Sequence, residues 1–412
     1  MQRTMTSAIA VAAMLAAGPA LADSDPIKIG LIAPQEGVFT DPGTDGIRGF
    51  ELAVSQFGGE INGRPIEWVL GPTDADPDGA VRQARRLIEQ EEVDFIIGPL
   101  SGSQGIALRD YAKTIPDKTI IDAASGALET TWVDPADNYF RYNLNGAQWG
   151  YGLGSYVVEE KGWTRIATIA ADYSFGYTNF MGFAVDFCEA GGEIVERFWL
   201  PLGSGDFASI IAALPFDVDA IYLGVGGTDA INFLNQYEQA GGDTNLIGGT
   251  IMADQTVLSA RGRAKEALIG TPTSGAQADD WDAESWQSYV AAYREMFPDG
   301  YSTPSLFATN YYNATTAAMM ALEEIGGEFD DDQANFHEAL SNVVMQAPNG
   351  EIRLDDRRQA IGSSFITEVV EDEDGELHST FKAKVDGITQ TLGMSEEEFR
   401  AIGLPSRETP EC

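Results

Sequence analysis

Mostly apolar runs of strand length alternate with amphipathic stretches from residue 27 onward. Residues 27–33 predict a strand. In 45–57, Ile47, Phe50, Leu52, Ala53 and Phe57 recur at helical spacing. The order continues with a strand over 66–70, a helix over 77–90, a strand over 93–97, a helix over 104–113 and a strand over 119–122. Strands alternating with helices at this spacing predict βαβ units around a parallel sheet.

The pattern then restarts. Residues 165–170 and 193–198 read as strands, 177–190 and 207–214 as helices. VDAIYLGVGG at 218–227 repeats VDFIIGPLSG at 93–102, and GGEI occurs at 58–61 and again at 191–194. Matched segments in the same order predict two similar α/β lobes. Residues 138–154, rich in Gly and aromatics, read as a linker. Residues 270–280 read as a loop, 283–297, 309–324 and 333–344 as helices, and 347–370 as a β-rich piece. These later elements belong to neither repeat, so the chain is expected to cross between lobes more than once.

The first residues change the compartment. A basic start at Met1-Gln2-Arg3, an apolar run over 8–17 and the small-x-small end Ala20-Leu21-Ala22 predict a secretory signal peptide, cleaved after Ala22. The run is shorter than the ~20 apolar residues of a spanning helix. The expected product is a soluble, exported chain of residues 23–412, inserted in no membrane. A formal net charge of −39 repels nucleic acid and anionic lipid, which excludes both as partners. The acidic run at 371–374, followed by Gly375, reads as a turn tip. Cys188 and Cys412 are the two cysteines. Export permits a bond between them, but the sequence is equally compatible with a buried thiol and a loose terminal one.

The turn Ser101-Gly102-Ser103 invites three chemistries. A phosphate loop needs a lysine after its glycines, and between the signal and Lys113 only Lys28 occurs, inside the first strand. A dinucleotide fold needs Gly-x-Gly-x-x-Gly, and 224–229 lacks the third glycine. A hydrolase elbow needs Gly-x-Ser-x-Gly, and Ser103 lacks the first. The two histidines, His337 and His378, read as surface residues rather than a catalytic base, and no His/Cys cluster suggests a metal. No catalytic residue, cofactor or metal is expected. What remains is non-covalent capture: small residues let a ligand approach the backbone, and hydroxyls with free amides at a helix start suit a carboxylate or carbonyl oxygen. Plain tight packing at the turn is the competing reading, which the doubled motif weakens.

Several segments together, IKIGLIAPQEG (27–37), GIRGFELAV (46–54), VDFIIGPLSGSQGIAL (93–108), IIDAASGAL (120–128), DYSFGYTNF (172–180), GSGDFASIIAAL (203–214) and APNGEIRLDDRRQAI (347–361), resemble the solute-binding proteins of ABC importers, in the leucine/isoleucine/valine-binding branch. The resemblance runs along almost all of residues 23–412. It implies a type I periplasmic binding protein fold: α/β, two Rossmann-like lobes with parallel sheets, joined by a three-crossover hinge. The implied division is 23–145 plus 275–348, then 146–274 plus 349–395, with 396–412 as a tail. It also implies a monomer in the periplasm that is no enzyme, traps a small ligand between its lobes and delivers it to a membrane permease.

The implied ligand site joins Ser101, Gly102 and Ser103 with Ala123, Ala124 and Ser125 in the first lobe. Tyr173, Phe175, Gly226 and Gly227 face them from the second. One position departs from the family. Amino-acid binders of this branch place an acid where Thr250 stands, to pair with the ligand's ammonium, and a buried ammonium without a carboxylate is costly. Either Asp254, Asp229 or Asp172 replaces it, or the ligand carries no ammonium and is an aromatic carboxylate, an amide or urea. Trp149, Tyr151, Tyr173 and Phe175 suit a ring and equally suit lobe packing. A module feeding a sensor and an exported hydrolase are the remaining alternatives.

Overall fold

The computed structural model describes residues 25–330 and 332–412; the expected signal peptide and its cleavage point lie outside the described residues. The first lobe is built on a six-stranded sheet whose centre is strand Ile27–Pro34. Parallel neighbours Arg64–Thr73 and Phe95–Ile97 flank it, followed by Thr119–Asp122 and Tyr139–Arg141. Ile27, Ile29, Leu31 and Ile32 are fully buried. Helices cover both faces of such a strand, which explains a run of apolar residues without alternation. Helix Pro77–Glu89 starts where expected: the Asp76 carboxylate accepts from Gly79 N at 2.8 Å and Pro77 opens the first turn.

The second lobe repeats the arrangement. Arg165–Ala171 lies between Glu193–Leu200 and Ala220–Gly224, with Asn245–Gly248 beyond, all parallel. The strand order around the start of each lobe is therefore the same. Each copy of the repeated motif forms a strand, then a turn, then a helix: Phe95–Ile97 into Gly102–Ala112, and Ala220–Gly224 into Gly227–Gln239. Both turns sit at the C-terminal ends of the strands, where open α/β sheets take ligands.

Beyond this repeat, the nine-stranded second sheet differs from expectation. Residues 270–280, read as a loop, contain the buried strand Pro272–Gly275. Its Thr and Ser side chains gave no apolar signal, and tertiary pairing decides the state. It runs antiparallel to Ala360–Glu371, which also pairs with Leu377–Ile388. Helices Glu284–Met296, Leu306–Glu324 and Ala334–Asn342 return to the first lobe, where Phe307, Tyr311, Phe336 and Leu340 share a core with Ile29 and Phe95. The chain thus leaves the first sheet after Arg141, returns to first-lobe helices after Gly275 and enters the second sheet again at Val344. His337, expected at the surface, is half-buried and held by Thr119 Oγ1 at 2.8 Å.

The C-terminal segment is tied down. Phe399 of helix Glu396–Ile402 packs edge-on against Trp132, with ring centroids 5.2 Å apart. Backbone carbonyls of Glu408 and Pro410 accept from Arg197 at 2.9 and 2.6 Å. Cys188 and Cys412 form a disulfide across 224 residues of sequence, which resolves the two possibilities the sequence left open. A bond closing so long a loop contributes about 2–4 kcal/mol. Denatured, unreduced protein should therefore expose no free thiol in a thiol assay. Cys188→Ser with Cys412→Ser should lower the melting temperature by a few degrees. Two free thiols in the unreduced chain would exclude the bond.

Candidate functional site

The two lobes meet over a small, nearly filled cavity of about 10 Å³. Phe39, Leu100 and Ala124 line it from loops after three strands of the first lobe. Tyr173, Phe175 and Ile251 line it from the second, Phe307 from the first-lobe helix Leu306–Glu324, and Trp149 from the segment that follows the first crossing. All eight are apolar or aromatic, and none carries a carboxylate or an amine. Phe39 and Tyr173 approach across the gap, with ring centroids 6.4 Å apart, and Trp149 stands edge-on to Phe175 at 6.1 Å.

Small residues hold the lobes this close. Gly227 adopts φ +55°, and a Cβ there would lie 2.2 Å from the Val38 carbonyl oxygen of the opposite lobe. A Cβ on Gly102 would meet Ser174 Oγ at 3.0 Å and Phe175 N at 3.1 Å, also across the gap. Beside it, the Ser103 and Ser174 hydroxyls share a 3.0 Å hydrogen bond between lobes.

Of the residues expected at the site, Ala124, Tyr173 and Phe175 line the cavity, and Ala123 is buried behind them in the same core. Gly226 backs onto Ile251, its missing Cβ falling 2.6 Å from that side chain. Gly102 and Ser103 open helix Gly102–Ala112 at the lobe contact, while the Ser101 hydroxyl is buried without a hydrogen-bond partner. Ser125 gives both its amide, at 2.8 Å, and its hydroxyl to Asp122. Tyr139 also donates to that carboxylate, which burial pushes up to about 6. Phe39, Leu100, Ile251 and Phe307 were missed. Phe39, Leu100 and Ile251 lie just after strands and Phe307 opens a helix, positions that ordinary core residues share.

Thr250 is not open to a ligand's ammonium: its hydroxyl accepts from Asn179 Nδ2 at 2.9 Å. The three acids named as partners for an ammonium are all engaged elsewhere. Asp172 pairs with Arg407, which holds its carboxyl below the usual range, and accepts from Tyr177. Asp229 accepts the amides of Gly203 and Gly205 at 2.6 and 3.2 Å, and burial pushes its carboxyl up. Asp254 caps helix Gln255–Leu258 through Thr256 N at 3.0 Å, and its second oxygen accepts Leu306 N at 2.8 Å. Among the described residues no three His, Cys, Asp or Glu side chains gather as a metal site, and no helix is long and apolar enough to cross a membrane.

Burial pushes Asp254 up to about 6, against the pull of the amides it accepts. Its unfolded value lies near 4, so the folded chain keeps a proton there that the unfolded chain has released. The group's contribution to stability therefore declines as pH rises from about 4 to about 6, by roughly 3 kcal/mol at most. Asp254→Asn stays neutral throughout. Its melting temperature, measured against wild type, should improve as the pH is raised from 4 to 7; a constant difference would show that Asp254 ionises normally. Gly227→Ala should leave both lobes folded but hold them apart, seen as a larger radius of gyration in solution scattering. An unchanged radius would mean that the approach to Val38 does not limit closure.

Residues 26–376 match the family described as periplasmic binding protein. A Leu/Ile/Val-binding protein homolog of Brucella melitensis is 24% identical over 390 residues, covering 92% of this chain and 96% of its own length. A leucine-, isoleucine-, valine-, threonine- and alanine-binding protein of Pseudomonas aeruginosa is 24% identical, covering 81% of this chain and 87% of its own. A solute-binding protein of an ABC transporter from Rhodopseudomonas palustris, crystallised with 3,4-dihydroxybenzoic acid, superimposes with a TM-score of 0.81 at 26% identity, covering 89% of this chain and 99% of its own. With two parallel-stranded lobes closed over a cavity at their strand ends, the chain belongs to the periplasmic binding protein family, the solute-binding proteins of ABC transporters.

Proposed function

We propose that this chain captures a small carboxylate with an apolar or aromatic body and hands it to the permease of an ABC importer. Between amino acids and other carboxylates, the cavity favours the ammonium-free kind. One observation carries this: no acid lines the cavity, and Asp172, Asp229 and Asp254 each serve another partner. A bare ammonium there would lose its hydration with nothing in return, a cost of several kcal/mol. The dihydroxybenzoate held by the Rhodopseudomonas relative is a ligand of the favoured kind. The amino acids in the Pseudomonas relative's name are of the other kind, so the two are to be compared directly.

In this reading the ligand's carboxylate meets the amides and hydroxyl at Gly102 and Ser103, and its body lies among Phe39, Trp149, Tyr173, Phe175 and Phe307. The protein works as a monomer in the periplasm after loss of residues 1–22 and catalyses no reaction. The lobes divide as 23–145 with 275–348 and 146–274 with 349–395. Residues 396–412 strap the second lobe through Arg407 and Cys412.

A ligand that binds only the folded state raises the melting temperature by mass action, about 2.7 kcal/mol at a hundredfold excess over Kd. Benzoate, hydroxybenzoates and branched aliphatic carboxylates at millimolar concentration should shift it by several degrees. Leucine, isoleucine and valine should not. A shift with leucine but not with 4-methylpentanoate, its counterpart without the amine, would overturn the ligand class. Release of any chemically altered product would overturn the non-catalytic role.

A further inference from the structure

We propose that the indole N–H of Trp149 is a hydrogen-bond donor to an oxygen of the bound ligand, and so selects ligands that present an acceptor at that wall of the cavity. The inference rests on the carboxylate-binding reading above and assigns one polar contact within it. Trp149 is 1% exposed and lines the cavity, yet its Nε1 has no hydrogen-bond partner. A buried donor left unpaired forfeits its hydration with nothing in return, which is why such groups are uncommon in native cores. Two other indoles differ in this respect: Trp199 Nε1 donates to the Arg407 carbonyl at 3.2 Å and Trp286 Nε1 to the Asp279 carbonyl at 3.1 Å.

The ring is fixed in place, so the unmet donor is not a loose side chain. Helix Gly146–Gly150 is locked by a reciprocal cap: Asn145 Oδ1 accepts Gln148 N at 3.0 Å, and Gln148 Oε1 accepts Asn145 N at 2.9 Å. The Trp149 carbonyl accepts from Ser364 Oγ at 2.8 Å. The benzo edge of the indole packs over Gly126, where a Cβ would fall 3.1 Å from Cζ3, and Phe175 stands edge-on to the ring. Nε1 lies on the opposite edge of the indole. The other lining side chains are apolar apart from the Tyr173 hydroxyl, and none of them bonds to Nε1. A ligand oxygen arriving in the cavity supplies the partner the fold withholds.

The test is an NMR titration of indole-¹⁵N-labelled protein with benzoate, 4-hydroxybenzoate and leucine, beside isothermal calorimetry. The chain has 7 Trp, and Trp149→Phe assigns the signal by its loss. With whichever probe binds, the Trp149 N–H should move strongly downfield and become protected from exchange. Trp149→Phe, which keeps the ring and drops the donor, should weaken that probe about tenfold or more, the size of a hydrogen bond to a charged acceptor. A probe that binds while the Trp149 signal stays still, with Trp149→Phe binding equally well, overturns the proposal and leaves the carboxylate reading intact. Leucine alone binding, with the signal moved, supports Trp149 and overturns the ligand class. No binder among the three overturns both. If Trp149→Phe does not fold, the wild-type titration still decides, because one indole signal must move far more than the rest.

Discussion

One carboxylate from each lobe holds the start of helix Leu306–Glu324, and the closed form depends on that grip. Asp45 of the first lobe accepts Ser305 N at 3.0 Å, and Asp254 of the second accepts Leu306 N at 2.8 Å. Both acids are almost completely buried. A buried carboxylate is costly unless donors and positive charge surround it. The free amides and positive end of a helix provide both, and Arg48 adds a 3.1 Å contact to Asp45. Phe307, the next residue, then forms a wall of the cavity. Lobe closure and cavity shape are thereby the same event at this point of the chain.

The hinge is as polar as the cavity is apolar. Arg141 is fully buried and donates to Thr131 Oγ1 at 2.7 Å, to the Ala127 carbonyl at 2.6 Å and to Gln359. Gln359 in turn donates to the Asn143 carbonyl at 2.9 Å and to Gln148 at 3.0 Å. This network joins the first crossing of the chain to the last. A buried network with this many mutual hydrogen bonds tolerates few alternative arrangements, so the segment carrying Trp149 is set by the hinge. Rigid walls around a small space suit recognition by shape, with one or two donors fixing orientation.

Much of the architecture was legible in the chain. The apolar run Ile27 to Ile32, the repeat at 93–102 and 218–227, and the amphipathic helices all report burial through their local pattern of apolar residues. The strand at Pro272–Gly275 was not legible, because Thr and Ser take their state from the neighbours they pair with. At the site, the resemblance pointed to Ala124, Tyr173 and Phe175. It could not separate Phe39, Leu100, Ile251 and Phe307 from ordinary core residues, since a lining aromatic and a packed aromatic are the same letter.

The sequence by itself determined two α/β lobes and the turns at their strand ends, which follow from residue type at a fixed spacing; that Thr250 stands where amino-acid binders of the branch place an acid is what the resemblance implies. Only the tertiary structure decided that Asp172, Asp229 and Asp254 are taken by Arg407, by the amides of Gly203 and Gly205, and by Leu306. Only it decided that Cys188 reaches Cys412 and that Trp149 Nε1 is left unpaired. These are matches between groups far apart in the chain. A carboxylate or an indole has the same appearance in a sequence whether its partner is present or missing, and the partner is chosen by the packing of the whole.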